Sequence, residues 1–249
     1  MSKRGKICVG TGLLLLAAAL LLAGHNMGSD ARARLSANMA LEQLKPGIRA
    51  HTGASLPALP SGGALEAYAP KHVPETDMPE QEIGAQEVGA QEVGEQEVRA
   101  QGEARIPDHI LNPEMDMPEQ EIEGRGYIGV LRIPALSLEL PVIGEWSYPG
   151  LKSAPCRYTG SAYLDNMVVV AHNYFGHFGN LRNLSQGDEV AFTDVDGNVF
   201  RYEVVELETL SPFAVEEMTR GDWDLTLFTC TVGGQYRVTV RCGRTDRGA

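Results

Sequence analysis

The stretch LTLFTC, residues 225–230, joins an apolar strand to a terminal thiol, and the rest of the sequence is best understood from it. Its β-branched and aromatic residues favour a strand, and the TVGG that follows favours a loop. Arg237 opens a second strand-like stretch, RVTV, and upstream MVVVA runs into His172. A thiol, an imidazole and a guanidinium are therefore expected near strand ends, where a rigid scaffold holds reactive side chains.

Short strand-like stretches separated by turn residues, with no alternating helices, predict an all-β barrel or sandwich. DVDG at residues 194–197 predicts a hairpin turn between two of them. The predicted strands are residues 127–133, 138–142, 167–171, 189–193, 199–207, 225–230 and 236–241. They place a single catalytic domain at residues 124–249.

These motifs resemble those of the sortases, the cysteine transpeptidases of Gram-positive cell surfaces. The resemblance rests on TLFTC, on an arginine at the start of the next strand, and on a histidine about sixty residues before the cysteine. It extends over residues 127–241 and implies a closed sortase-type β-barrel with short helices. The sequence does not distinguish between the sortase classes.

The resemblance also implies roles for individual residues. Cys230 would be the nucleophile, His172 the general acid and then base, and Arg237 the group that holds the substrate backbone or the oxyanion. Thr229 would help to bind substrate. The implied reaction cleaves an LPxTG-like sorting signal in surface-protein substrates and transfers the acyl group to an amine, on a cell-wall precursor or a pilin-type acceptor. No metal and no cofactor is expected.

Alternatives remain at this stage. His177 competes with His172, and Arg241, on the same strand face, competes with Arg237. A hydrolytic cysteine endopeptidase would use the same residues, and an anchored peptide-binding module would need no such trio. Cys156 and Cys242 form either a disulfide in an exported domain or two buried thiols.

At the N-terminus, residues 1–27 predict a membrane anchor. Lys3, Arg4 and Lys6 precede an uncharged apolar run at residues 7–24, which favours a cytoplasmic N-terminus and an extracellular catalytic domain. A cleaved signal peptide is the alternative. Residues 31–44 predict one amphipathic helix, which the Lys-Pro-Gly that follows would stop.

The formal net charge of −12 is concentrated in one segment. Fifteen Asp and Glu residues lie within residues 75–123, against only Arg99 and Arg105. QEVGA-type repeats at residues 81–100 place one apolar residue in five, a period of neither helix nor strand. Residues 28–123 are therefore predicted to be a mostly disordered extracytoplasmic linker that spaces the domain from the membrane. The remainder is near neutral, so no nucleic-acid partner is expected.

Overall fold

The computed structural model describes residues 3–52 and 106–247, and they form a β-barrel with a long N-terminal helix. The helices are α1 (Lys3–Thr52), α2 (Asp108–Leu111), α3 (Tyr148–Leu151) and α4 (Val215–Thr219), with 3₁₀ turns at Pro134–Leu136 and Leu181–Asn183. The strands are β1 (Gln120–Ile122), β2 (Arg125–Ile133), β3 (Leu138–Ile143), β4 (Cys156–Thr159), β5 (Met167–Val170), β6 (Glu189–Asp194), β7 (Val199–Leu210), β8 (Leu225–Cys230) and β9 (Arg237–Arg244).

Eight strands close the barrel. The sheet order is β1-β2-β3-β4-β5-β8-β9-β7-β6, and β6 pairs back onto β2. The strand β1 lies outside the ring and pairs with the first residues of β2. Most neighbours are antiparallel, but β5 and β8 run parallel, so their carboxyl ends lie at the same end of the barrel. That shared end carries the candidate site.

Alternating apolar residues fill the barrel interior. Leu225 and Leu227 of β8 are fully buried, as are Met167 and Val169 of the parallel neighbour β5. Large side chains on β6 and β7, among them Phe192, complete the same cluster. Fully burying one such side chain contributes about 1.5–3 kcal/mol, so this core fixes β5 and β8 as a rigid pair.

The predicted closed barrel is confirmed, and β8 spans the residues predicted for it. Two strands were not predicted. The four residues of β4 are too few to show an alternation of apolar and polar side chains. This strand forms through its pairing with β5. The three residues of β1 lie in the acidic segment and pair with β2.

The prediction that Pro46 stops a short helix is wrong, because α1 continues through it to Thr52. Leu44 and Ile48, on either side of the proline, are fully buried against the barrel. Proline in a helix interior costs about 3 kcal/mol, and burial of these two side chains outweighs that cost. Lys45 adds an ion pair with Glu139 of β3, with 2.8 Å between Nζ and Oε2.

The apolar N-terminal half of α1 does not pack on the barrel, and its leucine side chains are exposed. Leucines at residues 13–16 and 20–22 are exposed, each by 58% or more. Within the described residues, α1 is the one helix long and apolar enough to cross a membrane, a test that an N-terminal signal sequence also passes.

Two parts of the predicted linker 28–123 are ordered. Residues 28–52 belong to α1, and Ala33, Ala37 and Ala40 are buried on the barrel. Residues 106–123 include α2 and β1. The repeats at residues 81–100 lie outside the described residues. Because α1 reaches the barrel before the acidic segment begins, that segment is not what connects the apolar run to the barrel.

Cys156 and Cys242 are free thiols. Cys242 lies in the barrel core, whereas Cys156 lies in the separate apolar cluster beneath α1. Burial raises the pKa of Cys156 to about 11 and that of Cys242 to about 12. Both therefore stay protonated at neutral pH and pack as small apolar side chains.

Candidate active site

Cys230 is the last residue of β8 and is the only partly exposed residue of that strand. Its strand lies between β5 and β9, so backbone hydrogen bonds hold it from both sides. Side chains alternate along a strand, so Cys230 shares the outer face with Phe228, while Leu227 and Thr229 face inward and are buried. The thiol is thus rigidly placed and accessible.

Strand register brings His172 beside Cys230. Met167 pairs with Leu225 and Val170 with Phe228, a constant offset of 58 residues, which is also the separation of His172 from Cys230. The hydrogen bond from Ala171 N to Phe228 O, at 3.2 Å, carries the pairing one residue further. Residues that pair laterally in a sheet lie on the same face. The 58 residues between His172 and Cys230 therefore equal the offset between paired residues of β5 and β8.

Arg237 completes the row from the other side. It begins β9 and is the direct antiparallel partner of Cys230. Its Nη1 donates to the carbonyls of Gly234 and Tyr236, at 3.1 and 3.2 Å. Gly233 and Gly234 both have positive φ, 85° and 73°, which glycine adopts without strain and which closes this short loop. His172, two residues beyond the end of β5, and Arg237, at the start of β9, therefore flank Cys230.

Thr229 lies directly before the thiol, but its hydroxyl is already engaged. Its Oγ1 donates to the carbonyl of Ala171 at 2.8 Å, and the residue is only 2% exposed. This bond ties β8 to β5 one residue before Cys230 and His172. Thr229 also lines the cavity beside the thiol, so it sets the distance between the two strand ends rather than offering a free polar group.

His177 occupies a different environment from His172. It is fully buried, and neither ring nitrogen has a hydrogen-bond partner within good geometry among residues 3–52 and 106–247. Burial, then the charge of His172, lowers the pKa of His177 to about 4, so its ring is neutral at physiological pH. It does not line the cavity beside Cys230.

His172 is partly exposed at the site. Burial, then the positive charge of Lys152, lowers its pKa. A ring that is mostly neutral at pH 7 can accept a proton. Its ring packs against that of Tyr174, with 4.9 Å between centroids, and its carbonyl accepts from Phe178 N at 3.2 Å, so the residue has a fixed position.

Arg241 is committed to structural contacts. The side chain is 3% exposed, and its Nε donates to Glu208 at 2.7 Å. Its remaining nitrogens donate to Thr226 Oγ1 and to the carbonyls of Met218 and Glu217, at 2.6–3.1 Å. Because these contacts tie β9 to β7, β8 and α4, the guanidinium is not free to meet a substrate.

Two surfaces meet at Cys230. On the outer barrel face lies an apolar patch in which Val168, Met218 and Phe228 are buried and the partly buried Tyr158, Val170 and Leu210 pack against them. Beyond the strand end lies a cavity of about 340 Å³ that includes Cys230 itself. The sequence did not indicate Tyr158 or Met218, because β4 was not predicted and α4 is a single turn within a loop.

No metal-ligand cluster accompanies these residues. Among residues 3–52 and 106–247, no group of three or more His, Cys, Asp or Glu side chains is placed to hold a metal ion.

Comparison with known proteins shows which family part of the chain matches. A family model described as "Sortase domain" matches residues 131–245, which include His172, Cys230 and Arg237. Residues 131–245 form a sortase domain. No curated protein sequence matches the chain.

Several solved sortases are similar to part of this chain. Sortase A from Corynebacterium diphtheriae is 23% identical, with a TM-score of 0.44 over 49% of this chain and 62% of that one. Sortase C1 from Streptococcus suis is 25% identical, with a TM-score of 0.43 over 49% and 75%. A sortase D5 transpeptidase from Clostridium perfringens is 21% identical, with a TM-score of 0.43 over 48% and 79%. The chain thus spans less than two thirds of the length of the C. diphtheriae protein.

Proposed function

We propose that this protein is a membrane-anchored cysteine transpeptidase that cleaves an LPxTG-like sorting signal and transfers the acyl group to an amine. The observation that supports this most strongly is the row of His172, Cys230 and Arg237 at one level of three adjacent strands. A barrel that only bound peptide would not need a nucleophile flanked by a proton carrier and a cation.

The first half of the reaction forms a thioester. Cys230 gives its proton to His172 and attacks the carbonyl carbon of the scissile peptide bond. Negative charge that develops on the carbonyl oxygen is stabilised by the guanidinium of Arg237. The carbon–nitrogen bond then breaks, and the imidazolium of His172 protonates the departing amine.

The second half regenerates the enzyme. An incoming amine attacks the thioester and loses a proton to His172. The carbon–sulfur bond breaks, and the Cys230 thiolate recovers its proton from the imidazolium. Water in place of the amine would make the same site a hydrolytic peptidase, so product identity distinguishes the two functions.

The apolar patch on the outer face is suited to the apolar part of the donor peptide. Phe228 and Cys230 are two residues apart on β8, and because side chains alternate along a strand, both lie on the same face. A leucine and proline that precede the scissile bond would pack on the partly exposed Val170 and Tyr158, next to the buried Phe228, while the carbonyl reaches the thiol. We expect the substrate to be a surface protein and the sortase domain to face the outside of the cell.

Product analysis tests this function. The full chain in detergent micelles is incubated with a fluorescent LPxTG-type peptide, with and without triglycine, beside Cys230→Ala and His172→Ala. We expect a ligated product when triglycine is present, and loss of all products in both variants. Cleavage that yields only the free acid would establish a hydrolase. Peptide binding without cleavage would establish the binding module.

A further inference from the structure

The cavity beyond the end of β8 differs in character from the apolar patch. Its polar lining includes Asn173, Asn180, Arg182 and Asn183 on the segment after β5, together with Cys230. Carboxamide groups both donate and accept hydrogen bonds. The cavity therefore presents polar groups and one full charge within reach of the thiol.

Arg182 is the source of that charge. It lies in the 3₁₀ turn Leu181–Asn183, is exposed, and makes no hydrogen bond or ion pair with the residues that the structure describes. None of the residues that line the cavity is acidic. Arg241, in contrast, has four oxygen partners. An unpaired guanidinium in a cavity without carboxylates makes an anion the favourable occupant.

The cavity and the apolar patch share no residue; Cys230 lines the cavity, and Phe228 of the patch lies two residues before it on β8. A donor peptide on the patch would therefore leave the cavity free. Once the leaving amine has departed, the second substrate can reach the thioester from the cavity side. The two substrates would then approach the thiol from different surfaces.

We propose that this acceptor cavity binds an amine that also carries a carboxylate, and that Arg182 holds the carboxylate. The proposal rests on the transfer function above. A bidentate contact of Arg182 with the carboxylate would orient the acceptor. The same positive charge disfavours a second cation nearby. It therefore raises the fraction of acceptor amine that is unprotonated and able to attack.

The test compares acceptors that differ only in that charge. Aminolysis of the thioester by the full chain is measured with glycylglycine against glycylglycinamide, and with Nα-acetyl-lysine against its carboxamide. We expect kcat/KM to favour the carboxylate by about tenfold in at least one pair, in line with the strength of charge-assisted bonds. Arg182→Gln should abolish that preference, and Arg182→Lys should keep part of it.

Arg201→Gln is the matched control, because Arg201 is exposed on β7 and pairs with Glu189, away from the cavity. It should keep the wild-type preference. Equal use of both acceptors by the wild type, or the same preference in Arg182→Gln, would overturn the acceptor cavity alone. Thioester formation without acceptor is measured in the same samples. A wild-type chain that forms no thioester would overturn the transfer function together with the acceptor cavity.

Discussion

Arg237 and Arg241 lie four residues apart on β9, and their different contacts indicate a role in function for the first and in stability for the second. Arg237 donates only to carbonyls of its own loop, whereas Arg241 is buried among Glu208, Thr226 and two further carbonyls. The sequence leaves both as candidates because they share a strand face. Only the partners of each guanidinium distinguish the one beside the thiol from the one that holds α4.

Replacing each arginine should therefore give opposite results. Arg237→Ala is expected to lower kcat by about 100-fold, since removal of one oxyanion donor costs 10²–10³, with little change in unfolding free energy. Arg241→Met should lower the free energy of unfolding by about 3 kcal/mol, because it leaves buried acceptors unpaired. Peptide-cleavage kinetics and urea unfolding measure the two effects. A stable but inactive Arg241→Met variant would contradict this assignment.

His177 should make the protein sensitive to acid. Its pKa in the folded protein is about 4, below the ordinary 6.5 that applies when the chain is unfolded. The unfolded chain therefore binds the proton first, and stability falls as the pH drops from about 6.5 towards 4. The full difference corresponds to about 3 kcal/mol.

Urea unfolding of the full chain in micelles at pH 7 and pH 5 measures this effect. His177→Gln removes the titrating group, so it should flatten the pH dependence. His25→Gln, a change at an exposed position of α1, should keep it. An unchanged pH dependence in His177→Gln would show that another group carries the acid sensitivity.

At the scale of elements, α1 departs furthest from the sequence prediction. Propensity indicated a stop at Pro46, but the barrel surface that covers Leu44 and Ile48 cannot be seen from local sequence. β8 and β2 were predictable because long apolar runs show their period. The short β4 forms because it pairs with β3 and β5, which its own four residues do not indicate. The proposed site residues came from the resemblance in TLFTC, RVTV and a histidine at a strand end, and the spacing of His172 and Cys230 equals the register of β5 and β8.

The helix also contacts the loop that follows His172. Asp30 of α1 accepts from Gly176 N at 3.1 Å and pairs with Arg34, which lies against Gly176. α1 thereby helps to position the loop that supplies part of the acceptor cavity.

Docking of α1 can be tested with two leucines of the same helix. Leu44→Ala removes a fully buried side chain and should lower the free energy of unfolding by about 2–5 kcal/mol. Leu35→Ala is the matched control, since Leu35 is 60% exposed, and should change it by less than about 0.5 kcal/mol. Equal effects in chemical unfolding would mean that α1 does not dock in this manner.

At the scale of the whole molecule, the acidic segment joins two parts that already contact each other. It begins after the end of α1 and contains α2 and β1, and α1 is packed on the barrel. Deletion of residues 81–100 should therefore change the free energy of unfolding by only about 0.4 kcal/mol, the loop-closure difference for that shortening. Thermal and urea unfolding check this value. A loss of several kcal/mol would show that the repeats contribute to the folded state.

The central claim is that Cys230 carries the acyl group. Intact mass of the full chain after incubation with an LPxTG-type peptide, followed by peptide mapping, tests it most directly. We predict one thioester adduct of the acyl fragment, located on Cys230, absent in Cys230→Ala and removed when triglycine is added. An adduct on Cys156 or Cys242, or cleavage that persists in Cys230→Ala, would contradict the account.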